Sequence, residues 1–386
     1  MIIKNANVFQ ESNGFSEKDI VIDGRFFSDI SKDSSMEGLS GKDSSMKGHE
    51  VIDGTGLYAI PGLIDIHTHG CIQSDYSNSD TASINRMLAY EAENGITALC
   101  ATTMTLSENA LYRACINIKD SYSDRGASIV GINLEGPFIS PDKLGAQNKK
   151  FLAKPDLAMF HRLQSACGHL IKLVDLAPEL DGADKFIEAV GSTLRCSLAH
   201  TTADYDTAMK AFSLGAKHVT HLYNAMPPFS HRAPGLIGAA CDSDQVTVEL
   251  ICDGTHSHQS VVRTTFKMFG DDRIILVSDS MMATGLSDGL YELGGLPVQV
   301  TGNLATLVDG GNIAGSVTNL MSCMKYAVKT AGIPLHSAVK CASVNPAKAI
   351  GIFDQYGSIE TGKYADLILL DSDLTIQQVI LRGNCL

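Results

Sequence analysis

The sequence predicts an α/β protein, in which a parallel barrel carries a smaller β domain formed by both ends of the chain. Two observations predict this class. Eight apolar, strand-like runs alternate with helical patterns through the middle of the chain, which is the βα rhythm of a parallel sheet. Both ends instead carry short β-like pieces. Because eight βα units over about 285 residues match the size of a TIM barrel, we predict a (β/α)8 TIM barrel over residues 58–349.

The candidate barrel strands are short apolar runs bounded by turn residues. Helical patterns such as TASINRMLAYEAENG and DYDTAMKAFSLGA separate them. A doubly wound open sheet is the alternative, but no G-x-G-x-x-G follows the first strand to support it. In chain order the runs are GLIDIHT, TALCATTMT, SIVGINLE, LIKLVDLAPE, LRCSLAH, KHVTHLY, VTVELIC and RIILVSD.

The two chain ends are predicted to pair in one small β-sandwich domain, built from residues 1–57 and 350–386. Its pieces are MIIKNANVF, DIVIDGRFFSDI and HEVIDGTGLYAI at the start, and YGSIETGKYADLILLDSDLTIQQVILRG at the end. Between them, KDSSM occurs at 32–36 and again at 42–46. Its Ser, Gly, Lys and Asp content cannot form a packed core, so we predict a mobile surface insertion.

Composition restricts the classes of partner. The 386 residues carry a formal net charge of −13, which argues against nucleic acid and anionic membranes, although a local field can still bind a small anion. The start, MIIKNANVFQ, lacks the pattern of a signal peptide, and no apolar run reaches the roughly 18–20 residues of a membrane span. Ten cysteines without a C-x-x-C pair indicate reduced thiols. We therefore expect a cytoplasmic protein with a small-molecule substrate.

Polar residues follow the candidate strands where each strand ends, at the barrel face that carries active sites. Alternate residues of a strand share a face, so His67 and His69 in PGLIDIHTHG point the same way. Each polar residue alone also fits a structural role, as a core histidine or a helix cap. Together they predict a metal site of imidazoles and one carboxylate, with a free carboxylate beside it. The residues are His67, His69, Glu135, His200, His221 and Asp279.

Imidazole and carboxylate ligands without a thiolate suit Zn²⁺, Fe²⁺, Mn²⁺ or Co²⁺. An open position on such an ion holds water and lowers its pKa from 15.7 to about 7. Asp279 is then placed to remove the proton of that water and to hand it to a leaving group.

Several motifs resemble known families. The HxH pair, the aspartate after strand eight and the tail GSIETGKYADLILLD resemble the amidohydrolase superfamily. Nearly the whole chain, without the KDSSM insertion, is similar to the N-acetylglucosamine-6-phosphate deacetylase family. That resemblance implies hydrolysis of the acetamide of N-acetyl-D-glucosamine 6-phosphate to D-glucosamine 6-phosphate and acetate, in amino-sugar catabolism. The motifs that carry it are LEGPFI, AHT, THLYNAMPP, HRAPGLIGAA, ICDGTHSH and LVSDSMMATG.

The resemblance also implies a ligand set for the metal. Glu135, His200 and His221 match the ligands of the principal ion in this family. His67 and His69 match the ligands of a second ion in members that bind two. We therefore expect one or two divalent ions per subunit, Zn²⁺ or Fe²⁺, and by family analogy a homodimer.

The resemblance assigns the remaining site residues. Asp279 matches the catalytic carboxylate. Arg232 and His256 match positions that contact the substrate phosphate, and the backbone amides of Asn224 and Ala225 match others. An arginine fork and directed backbone donors suit a phosphate well.

One position departs from the family pattern. Gln147 stands where some members carry a substrate-contacting histidine, and glutamine cannot become cationic. N-acetylgalactosamine 6-phosphate therefore stays an alternative substrate. A second alternative, hydrolysis of a cyclic amide or aminopurine, often uses a carboxylated lysine from strand four, but Lys172 lies near the start of that strand. A third, a non-catalytic scaffold, is opposed because every ligand position is filled.

Overall fold

The structure, a computed structural model, describes residues 1–31 and 50–386. The KDSSM insertion lies outside these described residues.

The strands are β1 Ile2–Gln10, β2 Gly14–Asp23, β3 Phe26–Ser31, β4 Val51–Asp53, β5 Tyr58–Pro61, β6 Leu63–Thr68, β7 Gly70–Cys71, β8 Ser74–Asp75, β9 Ile96–Thr103, β10 Ser128–Glu135, β11 Ile171–Leu176, β12 Arg195–Leu198, β13 His218–Val219, β14 Thr247–Ile251, β15 Ile274–Val277, β16 Gly289–Leu293, β17 Leu296–Thr301, β18 Leu304–Leu307, β19 Leu367–Leu370, β20 Ile376–Leu381 and β21 Asn384–Cys385. The helices are α1 Thr81–Glu93, α2 Glu108–Asp120, α3 Leu157–Ala166, α4 Ala183–Val190, α5 Tyr205–Leu214, α6 Gly235–Cys241, α7 Gln259–Phe269, α8 Leu320–Lys329, α9 Leu335–Val339 and α10 Asn345–Ala349, with a 3-10 turn at Lys149–Phe151 and a π turn at Lys340–Val344.

The barrel is an eight-stranded parallel sheet in the order β6-β9-β10-β11-β12-β13-β14-β15, and a helix follows each strand before the next one begins. The two edge strands meet at their carboxyl ends, where Thr68 bridges Ser280 and the Asp279 amide donates to His67 O at 2.9 Å. These strands are buried on both faces, which explains why runs such as ITALCATT in β9 read as continuously apolar. The predicted barrel with eight strands is confirmed.

Helix α1 shows how the outer layer forms from the sequence. Asp80 caps its first turn by accepting from the Ser83 amide at 2.8 Å. Its buried residues recur at helical spacing, with Ile84, Met87, Leu88 and Glu91 on one face. That face packs on the barrel, so a carboxylate, Glu91, lies within the apolar layer.

The chain ends form a separate sheet, as predicted, in the order β21-β20-β19-β5-β1-β2-β3, with β4 paired to β1. The strands join in one continuous sheet around their own core, which contains Ile3, Ile20, Phe27 and Leu367. The predicted division at residues 57/58 and 349/350 stays a prediction, and the strand pairing places β5 (Tyr58–Pro61) in the terminal sheet.

A small antiparallel sheet, β16-β17-β18, is inserted between β15 and α8. Leu293 at the end of β16 and the segment 312–315 that follows β18 lie at the mouth of the barrel. Within residues 1–31 and 50–386, no helix combines the length and the apolar composition that crossing a membrane requires.

Candidate metal centre

A cavity of about 510 Å³ opens at the carboxyl ends of the barrel strands. Its floor carries five of the predicted site residues. Loop residues 141–147, 224–225 and 312–315 form most of its walls. The floor residues are His69, Glu135, His200, His221 and Asp279.

The principal cluster consists of Glu135, His200 and His221, whose ligand atoms all lie within 4.8 Å of one another. Oε1 of Glu135 lies 3.1 Å from Nε2 of each histidine, and the two Nε2 atoms are 3.2 Å apart. Two imidazole nitrogens and a carboxylate oxygen that face one another in a buried site form the donor set of a divalent ion. The residues present therefore fit the metal that the sequence predicts.

The second cluster brings together His67, His69 and Asp279. Oδ1 of Asp279 lies 3.5 Å from Nε2 of His67 and 3.3 Å from Nε2 of His69. Glu135 connects the two clusters, because its Oε2 lies 3.2 Å from His69 Nε2. The structure thus brings all six predicted residues to one place, and their roles as ligands and catalytic base stay predictions.

Hydrogen bonds fix which nitrogen of the rings faces the centre. Nδ1 of His200 lies 2.9 Å from the carbonyl oxygen of Lys143, and Nδ1 of His67 lies 2.9 Å from Oε2 of Glu249. Both partners only accept, so each Nδ1 carries a proton, and each Nε2 is the ring nitrogen that faces the centre and can bind an ion.

The backbone at these strand ends is turned sharply into the cavity. His200, His221 and Asp279 have φ angles of 45°, 28° and 49°, in a region that side chains other than glycine seldom adopt. Each follows its strand by two residues. Strained backbone of this kind concentrates at functional sites, because the surrounding fold must hold it in place.

The electrostatics of the site favour cations. Burial works against charge on His69, but hydrogen bonds to Asp279 and Glu135 outweigh it and raise the pKa of His69 to about 10. Burial likewise opposes charge on Glu135, yet the attraction of His67 and the contacts with His200 and His221 hold the pKa of Glu135 well below its ordinary value. The centre therefore keeps an ionised carboxylate and attracts positive charge.

Three residues around the centre were missed by the sequence reasoning: Glu249, His218 and Asp175. Glu249 accepts from the His221 amide at 3.1 Å as well as from His67, and its Oε1 lies 3.1 Å from Nε2 of His218. All three are buried in barrel strands. The sequence did carry a signal for these residues, because each is a charged or imidazole side chain inside an apolar run. The runs are VTVELIC, KHVTHLY and LIKLVDLAPE.

Three of the predicted phosphate contacts line the cavity, namely Asn224, Ala225 and His256. His256 is oriented by Asp253, whose Oδ2 lies 2.7 Å from its Nδ1. Burial opposes charge on this ring, but the bond to Asp253 outweighs it and raises the pKa of His256. The Asn224 amide donates to His221 O at 3.0 Å, so that predicted phosphate donor is engaged within the chain.

Arg232 lies outside this cavity, and its role as a phosphate ligand stays a prediction. It is exposed and lines a separate cavity with Thr202, Asp204 and Tyr205, so within the chain it does not reach the metal centre. The physical reason is that segment 227–234, which directly precedes α6, runs along the separate cavity and carries Arg232 into its wall. Lys143, which the sequence reasoning did not select, lines the cavity instead.

Gln147 lines the cavity, but its amide is engaged by the protein. Nε2 of Gln147 makes a short contact with Oε2 of Glu135, and its Oε1 accepts from the Thr105 amide at 2.7 Å. The side chain thus orients the carboxylate of Glu135, and its contact with substrate stays a prediction.

Comparisons with known proteins agree with this fold. The sequence profile of the amidohydrolase family matches residues 58–386. The chain is 39% identical over 331 residues to N-acetylglucosamine-6-phosphate deacetylase from Bacillus subtilis, covering 84% of this chain and 83% of that protein. It is 31% identical over 327 residues to N-acetylgalactosamine-6-phosphate deacetylase from Escherichia coli O157:H7, covering 84% and 86%.

A solved structure is similar along the full chain. A mutant of N-acetyl-D-glucosamine-6-phosphate deacetylase from Mycobacterium smegmatis, in complex with N-acetyl-D-glucosamine-6-phosphate, superimposes with a TM-score of 0.90 at 30% identity and covers 100% of this chain and 98% of that one. The chain belongs to the amidohydrolase family. Within that family it groups with the N-acetylglucosamine-6-phosphate deacetylases, which confirms the resemblance predicted from its motifs.

Proposed function

We propose that this chain hydrolyses the acetamide of N-acetyl-D-glucosamine 6-phosphate, releasing acetate and D-glucosamine 6-phosphate in amino-sugar catabolism. The observation that carries the proposal is the convergence of Glu135, His200 and His221 within 4.8 Å of one another at the barrel mouth, with Asp279 beside them. The similarity to deacetylases of this substrate class along most of the chain supports the same reaction.

A divalent ion, when bound, polarises the amide carbonyl and lowers the pKa of coordinated water. Glu135, His200 and His221 would hold it, and the proposed ion is Zn²⁺ or Fe²⁺. Asp279 serves as general base toward the attacking water, and its Oδ1 then carries the proton to the amine as the C–N bond breaks. His67 and His69 keep Asp279 ionised, since their contacts outweigh burial and lower the pKa of this carboxyl.

The phosphate is proposed to bind along the wall that holds Lys143, Ala225 and His256. Lys143 and His256 supply positive charge, which lets a protein of net charge −13 accept an anion. Among the described residues, none accepts a hydrogen bond from the Ala225 amide, so this donor remains for a phosphate oxygen. Arg232 stays a predicted phosphate ligand by resemblance only.

N-acetylgalactosamine 6-phosphate is the second candidate substrate. The side chain of Gln147 leaves this alternative open. Its amide is held by Glu135 and Thr105, so it does not by itself distinguish the two epimers. The similarity to the Escherichia coli enzyme named for that sugar phosphate points the same way.

Two further properties are proposed with this function. The ten free cysteines, eight of them buried, support a reducing compartment, and we expect the cytoplasm. Assembly as a homodimer follows from family analogy, and sedimentation of the purified protein would test it.

The test is acetate release from both sugar phosphates by the metal-loaded protein, before and after chelation. We expect release from N-acetyl-D-glucosamine 6-phosphate, loss of release after chelation, and recovery when Zn²⁺ or Fe²⁺ is added back. A higher kcat/KM for the galactosamine epimer would assign the second candidate. If neither sugar phosphate releases acetate, the proposal is contradicted.

A further inference from the structure

Asp175 is a carboxylate that the proposed reaction does not use. It lies near the end of β11 and is completely buried. Neither of its carboxylate oxygens has a hydrogen-bond partner among the described residues. The Thr220 hydroxyl is the nearest side-chain donor, and it lies 2.5 Å from Ser197 Oγ, with which it shares a hydrogen bond. A buried carboxylate without a partner is unfavourable, so either a cation or a proton must neutralise its charge.

The surroundings of Asp175 supply metal ligands. In the sheet it pairs in register with Glu135 of β10, so the two side chains share a face. One oxygen of Asp175, one of Glu135 and Nε2 of His67 all lie within 4.8 Å of one another. Nε2 of His67 is itself buried without a hydrogen-bond partner among the described residues, and its lone pair is free because Nδ1 donates to Glu249. Three buried ligand atoms thus converge on one point.

We propose that Asp175 is a metal ligand, which binds a divalent ion together with His67 and Glu135 on the inner side of the centre. The inference rests on the proposed metal-dependent function and deepens it. His67 Nε2 offers one lone pair, so it holds a single ion. The ion that His67 binds is the second ion of the centre, and Asp175, on the fourth barrel strand, is an additional ligand of that ion. Carboxylate and imidazole ligands of this kind suit Zn²⁺, Fe²⁺ and Mn²⁺.

The rival explanation is a proton. Burial, followed by repulsion from Glu249, raises the pKa of Asp175 well above its ordinary value, so without a cation nearby this side chain is a neutral acid. Asparagine has the size of that neutral acid and cannot ionise. Asp175→Asn therefore separates the two explanations, because it preserves the neutral form and removes only the anionic ligand.

The matched control is Asp366→Asn. Asp366 is likewise a buried aspartate, and its Oδ2 also has no hydrogen-bond partner among the described residues, but it lies at the terminal sheet, beside Arg382. The probe is Mn²⁺, added to metal-free full-length protein at physiological salt and followed by the EPR signal of the free ion. Mn²⁺ is chosen because the thiols of the ten cysteines prefer softer ions and therefore compete little for it.

We expect two Mn²⁺ ions per chain for wild type and for Asp366→Asn. Asp175→Asn should keep the ion at Glu135, His200 and His221, which also shows that it is folded, while the affinity for the second ion falls by about 10-fold or more. Two ions with unchanged affinities in Asp175→Asn would overturn the proposal, and so would a wild type that binds one ion only. Either result would leave deacetylation standing, because acetate release is measured separately.

Discussion

His67 and Glu249, 182 residues apart in sequence, meet in the barrel with Nδ1 of the histidine 2.9 Å from Oε2 of the glutamate. Both side chains are fully buried. A carboxylate behind a metal-facing histidine fixes its tautomer and raises its basicity. Glu249 also accepts from the His221 amide, so one carboxylate positions residues of both clusters.

Replacing Glu249 by glutamine should lower metal affinity or kcat by about 10- to 100-fold. The amide keeps the size of the carboxylate and one accepting oxygen, but it loses the negative charge that raises the basicity of His67 and the second oxygen that faces His218. Metal content after dialysis and kcat measure the effect, with the exposed Glu188→Gln as the control. Full metal retention with wild-type turnover would show that Glu249 has no positioning role.

Asp279→Asn should leave Glu135, His200 and His221 able to bind their ion but reduce kcat by at least about 10²- to 10⁴-fold, because the amide cannot accept the proton of the attacking water. Metal analysis and acetate release are measured on the same sample. Turnover near the wild-type value would remove Asp279 from the mechanism.

Lys143→Met should raise KM for the phosphorylated sugar by about 10- to 100-fold, the range expected for one lost charged hydrogen bond. The carbonyl of this residue still holds His200 after the substitution, so kcat should change little. The nearby, exposed Lys150→Met is the control for general charge. An unchanged KM in Lys143→Met would place the phosphate elsewhere in the cavity.

Glu91 makes stability depend on pH. Burial in the layer between α1 and the barrel, with repulsion from Asp65, raises its pKa to about 8. The folded pKa lies above the unfolded value, so folding favours the protonated form. The stabilisation is complete below about pH 4.5 and is lost as the pH rises through about 8.

Glu91→Gln should therefore raise the free energy of unfolding by a few kcal/mol above about pH 8 and change it little near pH 5. Thermal unfolding from pH 5 to pH 9 gives the comparison. Glu93→Gln, two residues away and exposed, should follow the wild type. A parallel pH dependence in all three proteins would argue that Glu91 is not held protonated.

The barrel could be predicted from sequence because each strand is a short apolar run and helical patterns separate the runs. The six residues of the centre could be predicted because each stands at or just after the end of such a run. The β16-β17 hairpin was not predicted, although Gly294 and Gly295 between two short alternating segments are a typical hairpin turn.

Other features depend on tertiary structure. Glu249 and Asp175 lie inside apolar runs, where a single charged residue does not reveal which neighbours it meets across the barrel. The position of Arg232 depends on the path of segment 227–234, which motif spacing does not determine. The engagement of Gln147 by Glu135 similarly requires the loop 141–147 to fold back over the strand end.

Anomalous X-ray scattering from crystals of the metal-loaded protein would locate the ion relative to its proposed ligands. We expect a peak bonded to a Glu135 oxygen and to Nε2 of His200 and of His221, at about 2.0–2.2 Å from each. A metal-loaded crystal in which these three atoms share no ion would contradict the proposed metal centre.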